Sequence, residues 1–344
     1  MIRWGLQPPL RRRAVVLSIG SLVLVASMVA GSYIGTADMS FVDVSTTLFH
    51  HLGLGAQTLP DLQDAIVWQL RAPRVVEAAV VGAALAVCGC MLQAVTRNPL
   101  ADPYLLGTSS GASAGAIAVY LLGIGGGVLS VAGGAIVGAG LSFAIVLVLL
   151  GRRGFDSTRG VLVGVVVGQF FSAVGSFVIT ASGDANAVYG ITHWLLGDLS
   201  ATRWASALPG LLVCVPCLVI AWMLSPSLDA LSFGDDTAAS LGVHVRRLQT
   251  TVLVLSAVIV GTVVSTVGAI GFVGLIVPHA VRFLSGPRHR WLIPMSAIAG
   301  AVFLIWTDAI ARVAFSPQEI PVGVFTAIVG VPLFVIIMKR RGQL

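Results

Sequence analysis

The chain has 344 residues, of which 57% are hydrophobic and only 10% are charged, and its formal net charge is +6. A soluble globular domain of this size carries far more charge, so the composition excludes that class and predicts a polytopic membrane protein. Lys339 is the only lysine. Because a Walker A loop needs a lysine to reach nucleotide phosphates, this chain is not expected to bind ATP in that way.

Apolar runs taken in chain order predict one transmembrane domain over residues 1–344, with ten helices behind a short N-terminal segment, residues 1–13. Arginines before the first run resemble the start of a signal peptide, but an apolar run of about 20 residues favours a retained helix. A polar, acidic stretch over residues 36–70 follows it. The predicted spans are residues 14–34, 73–95, 105–122, 127–150, 160–181, 205–224, 249–270, 271–284, 292–314 and 322–338.

The stretch over residues 263–282 is apolar, yet Gly268, Gly271, Gly274 and Pro278 interrupt it. In hydrocarbon every backbone polar group must be satisfied by protein, so a broken helix is expected only where other segments or a water-filled path surround it. We therefore separate the seventh and eighth spans at this break and expect Pro278 to begin or kink a helix.

Basic residues set the predicted orientation. With both termini in the cytoplasm, all but four of the twenty Lys and Arg residues fall on the cytoplasmic side, as basic residues in short loops should. Five spans in each half also allow an inverted-topology repeat. The four exceptions are Arg71, Arg74, Arg203 and Arg312.

Three of these four arginines, Arg71, Arg74 and Arg312, stand at predicted helix ends and not in long loops. A cationic ring on the outer face would suit an acidic partner, whereas ordinary interfacial arginines are the alternative interpretation. Helical spacing further predicts that Glu77 pairs with Arg74 and that Asp308 pairs with Arg312.

The longest predicted cytoplasmic loop covers residues 228–248. Within it, Asp235, Asp236 and Thr237 can cap a short helix that Gly242 would end. A short capped helix is a suitable contact for a soluble partner, and a solvated connector is the alternative.

Small residues in the fifth span, Gly168, Ser172, Gly175 and Ser176, share one helical face. This face is expected either to pack closely on a neighbouring helix or to line a path. No carboxylate or histidine stands clearly at the middle of a predicted span, where ion-coupled transporters usually carry one. The pattern therefore favours a permease driven by a partner ATPase.

The residues Gly107, Ser109 and Gly111 match a nucleophile-elbow pattern, and Ser110 and His279 are further candidates for hydrolysis within the membrane. An elbow needs a strand–turn–helix setting, so a helix start with small packing residues is the preferred interpretation. The cysteines are predicted to be buried hydrophobic residues and not metal ligands, since no histidine or acid stands near them. They are Cys88, Cys90, Cys214 and Cys217.

Several motifs stand in order along the chain: RAPR (71–74), GAALAVCG (82–89), RNPLADPYLLG (97–107), HWLLGDL (193–199), GDDTAASLGV (234–243), GAIGFVGLIVPHAVR (268–282) and EIPVGVFTAIVGVPLFV (319–335). Together they resemble the FecCD-type permeases, the membrane subunits of type II ABC importers for vitamin B12, heme and ferric siderophores. The resemblance covers the chain from about residue 14 to 340.

This resemblance implies an all-α polytopic fold with ten transmembrane helices per subunit and an inverted repeat, in a homodimer around a central path. It implies two cytoplasmic ATPase subunits and a periplasmic substrate-binding protein as partners, in the lipid bilayer of a bacterial inner membrane and without nucleic acid. The chain would be a non-catalytic subunit that binds no cofactor or metal, while the partner ATPase uses ATP and Mg.

The resemblance also implies roles for particular residues. Arg71, Arg74 and Arg312 would dock the binding protein, and the fifth span, with Gly168 and Ser172 on the small-residue face defined above, would line the path. The residues that couple to the ATPase would be Gly234, Asp235, Asp236, Thr237, Ala238, Ala239, Ser240, Leu241 and Gly242.

The predicted function is thus ATP-driven import, by alternating access, of an iron chelate from periplasm to cytoplasm. Heme is the first expectation for the cargo and a ferric siderophore the second. Alternatives are a vitamin B12 importer permease of the same family, an ion-coupled secondary transporter and, third, a structural membrane scaffold.

Overall fold

A computed structural model describes residues 10–35, 39–54, 59–124, 130–151, 157–316 and 318–340. All regular secondary structure in these residues is helical, and they contain no strand. Their α-helices are α1 (Leu10–Tyr33), α2 (Phe41–His51), α3 (Asp61–Ala65), α4 (Ala72–Val95), α5 (Thr108–Leu122), α6 (Val131–Leu150), α7 (Ser157–Ala181), α8 (Ala185–Leu195), α9 (Trp204–Met223), α10 (Ser225–Leu231), α11 (Asp235–Ser240), α12 (Val245–Val267), α13 (Val273–Ser285), α14 (His289–Val313) and α15 (Val322–Arg340).

Each predicted span coincides with one of these helices, with ends that differ by a few residues. By length and composition, seven helical segments of the described chain are long and apolar enough to cross a membrane, and α5, α13 and α15 add three shorter apolar helices. Several charged residues used in the sequence argument lie outside the described ranges: Arg3, Asp38, Arg152, Arg153 and Arg341.

Helix α4 lies at the centre of the fold and packs against α9, α12, α13 and α14. It crosses α14 closely, where Gly82 faces Gly300 and a Cβ on either residue would collide with the carbonyl oxygen of the other. Small residues thus bring two backbones together, as expected where packing and not the hydrophobic effect drives helix association in a bilayer.

The interrupted stretch is a true break between two helices. Helix α12 ends at Val267, α13 begins at Val273, and Phe272 has a left-handed φ of 69°. Pro278 lies inside α13 and does not begin it, so the expectation of a start there is wrong. Because proline has no N–H, the Gly274 carbonyl loses its helical donor. The Gln93 side-chain amide nitrogen of α4 donates to this carbonyl at 3.3 Å instead.

The acidic stretch before the second span is more structured than its composition indicated. Helix α2 is amphipathic, and α3 continues through a π-helical turn, Ile66–Arg71, into α4. A second helix missed from the sequence, α8, follows α7 at the end of the molecule that is predicted to face outward. Neither α2 nor α8 has an apolar run long enough to draw attention by hydropathy.

Candidate functional site

Segments from three other parts of the chain meet at the break between α12 and α13. Tyr104, from the connection between α4 and α5, donates its hydroxyl proton to the Ile270 carbonyl and accepts from the Ile270 N–H, both at 2.9 Å. One side chain thus satisfies both backbone groups of a residue that has no helical partners. This arrangement meets the requirement that irregular backbone at membrane depth be enclosed by protein.

The second and third contacts come from the loop after α8 and from the start of α15. The Asp198 N–H donates to the Val267 carbonyl at 2.8 Å, and the Gly323 N–H donates to the Gly197 carbonyl at 3.2 Å. Gly268 has φ of +72°, and a Cβ there would collide with the Trp194 carbonyl. The break is therefore held by the HWLLGDL and EIPVG motifs, which are distant in sequence.

Asp102 stabilises the turn that presents Tyr104. Its carboxylate accepts from the Tyr104 N–H at 2.9 Å and so caps the 3-10 turn Pro103–Leu106. Burial of this carboxyl group raises its pKa to about 6, against the opposing effect of the backbone hydrogen bond.

A groove between α5 and α7 contains most of the predicted path residues. Ser172, Gly175 and Ser176 line it, while Gly168 packs beside it against Gly107, where an added Cβ would lie 3.4 Å from the Gly107 Cα. The groove has a volume of about 280 Å³ and also contains residues that the sequence argument did not assign to a path: Ser109, Ser110, Ser113, Ala114, Ile117, Phe171, Ile179 and Leu195.

The elbow motif belongs to this groove and not to a hydrolytic site. Gly107 ends the 3-10 turn and α5 begins at Thr108, so no strand precedes the serines. Ser172 of α7 donates its hydroxyl proton to the Ser110 hydroxyl oxygen at 3.2 Å. The α5 serines thus face the neighbouring helix α7. Their helical spacing in α5, which matches that of the small residues in α7, is the sequence feature that could have indicated this.

The predicted ATPase-coupling segment is a short helix, α11, between α10 and α12. Ala238 is fully buried, whereas Ala239 and Leu241 are exposed. Gly234 precedes the helix without a side-chain cap, so the prediction that Asp235, Asp236 and Thr237 cap it is wrong, and these three residues form its first turn. Acidic groups in a first turn still stabilise the helix through its dipole.

Two contacts hold this end of the molecule together. The Asp235 carboxylate lies 3.5 Å from the Arg97 guanidinium, which belongs to the connection after α4. Asp229 of α10 accepts from the His289 backbone N–H at 2.9 Å and lies 2.7 Å from the His289 Nδ1. The contacts join α10 and α11 to the ends of α4 and α14.

The three predicted docking arginines do not form an open cationic ring. Arg71, Arg74 and Arg312 are 6%, 8% and 4% exposed, and their partners lie within the chain. Arg74 donates to Asp308 through Nε and Nη2, at 3.1 and 2.9 Å, and to Glu319 through Nη1 at 2.8 Å. The expectation of an exposed ring is therefore corrected, because buried charges require partners of opposite sign. Their role in docking stays a prediction.

The remaining hydrogen bonds of this arginine cluster are donated to backbone carbonyl groups at the C-terminal end of helix α1. Arg71 donates to the Tyr33 carbonyl at 2.9 Å, and Arg312 donates to the Gly31 carbonyl at 3.0 Å. Guanidinium groups at the last carbonyls of a helix satisfy acceptors that have no partner in the helix and complement its dipole. The predicted Asp308–Arg312 pair is confirmed, with 3.2 Å between Oδ2 and Nε.

The predicted pair between Glu77 and Arg74 is wrong, because Arg74 is occupied by Asp308 and Glu319. Glu77 is 1% exposed and faces α9, where a Cβ on Gly210 would lie 3.2 Å from its Oε2. Its Oε2 has no hydrogen-bond partner among the described residues. The sequence argument found no such buried carboxylate, since Glu77 stands only one turn from the polar end of its span.

The part of the chain that the structure describes contains no group of three His, Cys, Asp or Glu side chains close enough to hold a metal ion. Cys88, Cys90, Cys214 and Cys217 are free and buried.

Comparison with known proteins identifies relatives over nearly the whole chain. The model of the FecCD transport family matches residues 22–340. The cobalamin import system permease protein BtuC of Halobacterium salinarum is 38% identical over 284 residues, which cover 82% of this chain and 76% of the relative. The hemin transport system permease protein HmuU of Yersinia pestis is 35% identical over 342 residues, with 95% and 97% covered.

A solved structure has the same fold. It is described as an inward-facing conformation of a metal-chelate type ABC transporter, and it superimposes with a TM-score of 0.82 at 29% sequence identity. The alignment covers 95% of this chain and 99% of that one.

Proposed function

The chain belongs to the FecCD transport family, and on that premise we propose that it is the permease subunit of an ATP-driven importer whose cargo is an iron chelate, heme in the first place. The observation that carries the proposal is an enclosed break between helices α12 and α13, together with the short helix α11, which lies at one end of the molecule with Ala239 and Leu241 exposed. The first feature suits a path, and the second suits contact with a separate ATPase.

The proposed assembly is a homodimer with two cytoplasmic ATPase subunits and a periplasmic binding protein. Helix α11 would seat in the ATPase, and the outer cluster of Arg71, Arg74 and Arg312 would lie near the docked binding protein. The bacterial inner membrane, with both termini in the cytoplasm, is the proposed location, in keeping with the distribution of basic residues.

The proposed mechanism is alternating access without covalent chemistry in this chain. ATP binding closes the partner ATPase pair, which moves α11 and, through Asp229–His289 and Asp235–Arg97, the ends of α14 and α4. ATP can shift the equilibrium between outward-open and inward-open states only by its differential affinity for them.

Heme as the cargo is supported by the relative from Yersinia pestis, named for hemin transport, and by the overall resemblance. The relative from Halobacterium salinarum, named for cobalamin import, has a comparable identity. An iron chelate, heme first and a ferric siderophore second, therefore stays the proposed cargo, and vitamin B12 is the alternative within the same family.

Reconstituted uptake tests this proposal. The permease would be purified with its ATPase and placed in proteoliposomes, and the binding protein would be added with radiolabelled heme, ferric siderophore or cobalamin. We expect heme uptake that needs hydrolysable ATP. If only cobalamin is taken up, the proposed cargo is wrong and cobalamin takes the place of heme. Uptake that is driven by an ion gradient in the absence of the ATPase would overturn the ATP-driven mechanism.

An ion-coupled transporter is the second function, and Glu77 is the observation that favours it. A buried carboxylate with one oxygen free of hydrogen bonds, inside a transmembrane helix, is a common proton or ion site. The variant Glu77→Gln separates the two functions. ATP-driven uptake at the wild-type rate is expected from our proposal, whereas loss of gradient-driven uptake would support the alternative.

A further inference from the structure

A groove lies between α1 and α13, which both pack against α14. Every residue that lines it is apolar, and its volume is about 430 Å³. Val23 of α1 and Leu284 of α13 form opposite walls, and α14 forms the floor from Met295 to Phe303. Val23 is 45% exposed and Leu284 is 70% exposed. The groove is therefore open to the surroundings of the helices, which in a membrane are lipid.

The groove lies in one half of the membrane, at the end of the molecule that is predicted to face the cytoplasm. Met295 to Phe303 spans about 12 Å at the helical rise per residue, close to half of a hydrocarbon core about 30 Å thick. Trp291 stands one turn before Met295 and is partly buried. Because tryptophan is enriched at the level of lipid headgroups, the groove has the depth of one leaflet and ends near the headgroups.

Basic residues stand at this end of the groove. In α1, Arg13 precedes Val16 by three residues and Leu17 by four, so helical spacing places it on the groove face. Arg288, at the start of α14, stands about two turns before Met295 and is exposed. It makes no ion pair within the described part of the chain.

Acidic residues do not balance these charges. Residues 10–37 and 237–307, which include all of α1 and α13 and most of α14, contain no Asp or Glu. Asp229 of α10 approaches this end of α14, but it is bonded to the N–H and Nδ1 of His289. A second apolar groove, between α6, α9 and α12, differs in this respect, because the acidic helix α11 packs against the basic start of α12.

We propose that the groove between α1 and α13 binds an anionic phospholipid, with one acyl chain along α14 and the headgroup at Arg13 and Arg288. The apolar walls accept any acyl chain, whereas basic sites between helices on the cytoplasmic side select anionic headgroups. The bound lipid joins α1 to α13, the helix that follows the break. The inference goes beyond the proposed function, because it needs neither the cargo nor the ATPase.

Native mass spectrometry of the purified permease in detergent tests this site. Phosphatidylglycerol and phosphatidylethanolamine with identical acyl chains would be added in separate titrations, so that only the headgroup differs. We expect one phosphatidylglycerol per chain to bind about tenfold more tightly than phosphatidylethanolamine, because basic residues near the headgroup attract anionic lipid. Phosphatidylglycerol should also raise the midpoint of thermal unfolding, as a ligand of the folded state must.

Two variants locate the binding. Arg13→Gln combined with Arg288→Gln removes both charges and should lower the affinity for phosphatidylglycerol about tenfold, while the affinity for phosphatidylethanolamine stays within about twofold. Ala299→Phe fills the groove at its floor. It should lower the affinity for both lipids about tenfold, because the acyl chain can no longer bury its apolar surface there.

Matched controls exist at the same end of the molecule and in the second groove. Arg246→Gln combined with Arg247→Gln removes two exposed charges at the start of α12, and Ala257→Phe fills the groove between α6, α9 and α12. Neither control should change the affinity for phosphatidylglycerol by more than about twofold, since the charges and the groove that they alter are not those of the site. Gel filtration of each variant reports its folding and oligomeric state.

The contrary results are distinct. Equal affinities of the wild type for the two lipids, or equal losses in the control variants, would assign the groove to ordinary lipid contact and overturn the inference. Loss of a dimer in Ala299→Phe with unchanged lipid binding would assign the groove to an interface between copies of this chain. If Ala299→Phe does not fold, the arginine variant decides, and an unchanged preference for phosphatidylglycerol there overturns the site.

Discussion

At the scale of single residues, the outer arginine cluster joins α1, α4 and α14 through buried hydrogen bonds, and it is also the predicted contact surface for the binding protein. Asp308, 1% exposed, receives both Arg74 and Arg312. Glu319 is 38% exposed and holds only the outer edge of Arg74. The two carboxylates are therefore expected to differ in their effect on stability. Breaking a charge pair that is removed from water has a larger effect than breaking a pair that water screens.

The first prediction compares these two carboxylates. Asp308→Asn leaves the buried Arg312 without a counter-charge and Arg74 with only the exposed Glu319, and it should lower the free energy of unfolding by about 3–5 kcal/mol. Glu319→Gln, the matched substitution at the exposed position, should lower it by less than about 1 kcal/mol. Thermal unfolding in detergent measures both, and equal losses would contradict this expected difference.

A second residue, Tyr104, determines the geometry at the break. Tyr104→Phe removes the hydroxyl that serves both the N–H and the carbonyl of Ile270. Leaving these groups without partners should destabilise the protein by about 1–3 kcal/mol. Amide hydrogen exchange over residues 268–272 should rise above that of the wild type. Tyr189→Phe, at a position 73% exposed, is the control and should leave both quantities unchanged.

The sequence predicted single residues unevenly. The Asp308–Arg312 pair was predicted because its spacing of four residues is visible in the sequence. The bonds from Arg74 to Asp308 join positions separated by 234 residues, so no local pattern contains them. The pair between Glu77 and Arg74 was predicted from helical spacing alone. Such spacing shows which residues of one helix are neighbours, but it does not show that residues distant in sequence already bind Arg74.

At the scale of secondary-structure elements, the positions of the spans follow from hydropathy, and the break follows from glycine and proline. Hydropathy cannot predict α2 and α8, because a short amphipathic helix has neither length nor a continuous apolar run. The groove is an intermediate case. The small residues of α7 predicted one side of the groove. The α5 side could not be predicted, because the sequence does not show which helix packs against α7.

The crossing of α4 and α14 provides a prediction about helix packing. Gly82→Ala places a methyl group against the Gly300 carbonyl and should destabilise the protein by about 1–3 kcal/mol. Gly140→Ala, in α6, meets nothing within 4 Å and should be neutral or up to about 1 kcal/mol stabilising through helix propensity. Thermal unfolding of the two variants in detergent measures this difference. Coinciding unfolding curves would contradict a close contact between Gly82 and Gly300.

Helix α11 provides a prediction about assembly. Ala239 is exposed on this helix, so Ala239→Arg should leave the permease folded while a bulky cation blocks contact with the ATPase. Co-purification of the ATPase should fall about tenfold, as a loss of roughly 1.4 kcal/mol in affinity would give. Ala185→Arg, the same exchange at the exposed start of α8, is the control. Undiminished co-purification would assign α11 to a solvated connector.

At the scale of the whole molecule, the two ends differ in chemistry. Among the described residues, the end with α10, α11 and Arg97 carries most of the basic side chains, whereas the end with α2 and α8 carries few outside the buried arginine cluster. Helices α4 and α14 cross at Gly82 and Gly300 and connect the two ends directly. Because their close crossing permits little sliding, a displacement at α11 is expected to reach the arginine cluster through these two helices.

The orientation of the whole chain can be tested with introduced thiols. The native cysteines are at most 7% exposed, so a membrane-impermeant maleimide should barely label the wild type. Ala185→Cys and Ala239→Cys place exposed thiols at opposite ends of the molecule. With cytoplasmic termini, the first should react in intact spheroplasts and the second only after the membrane is opened. The reverse pattern would invert the predicted topology, and α11 would then face away from any cytoplasmic ATPase.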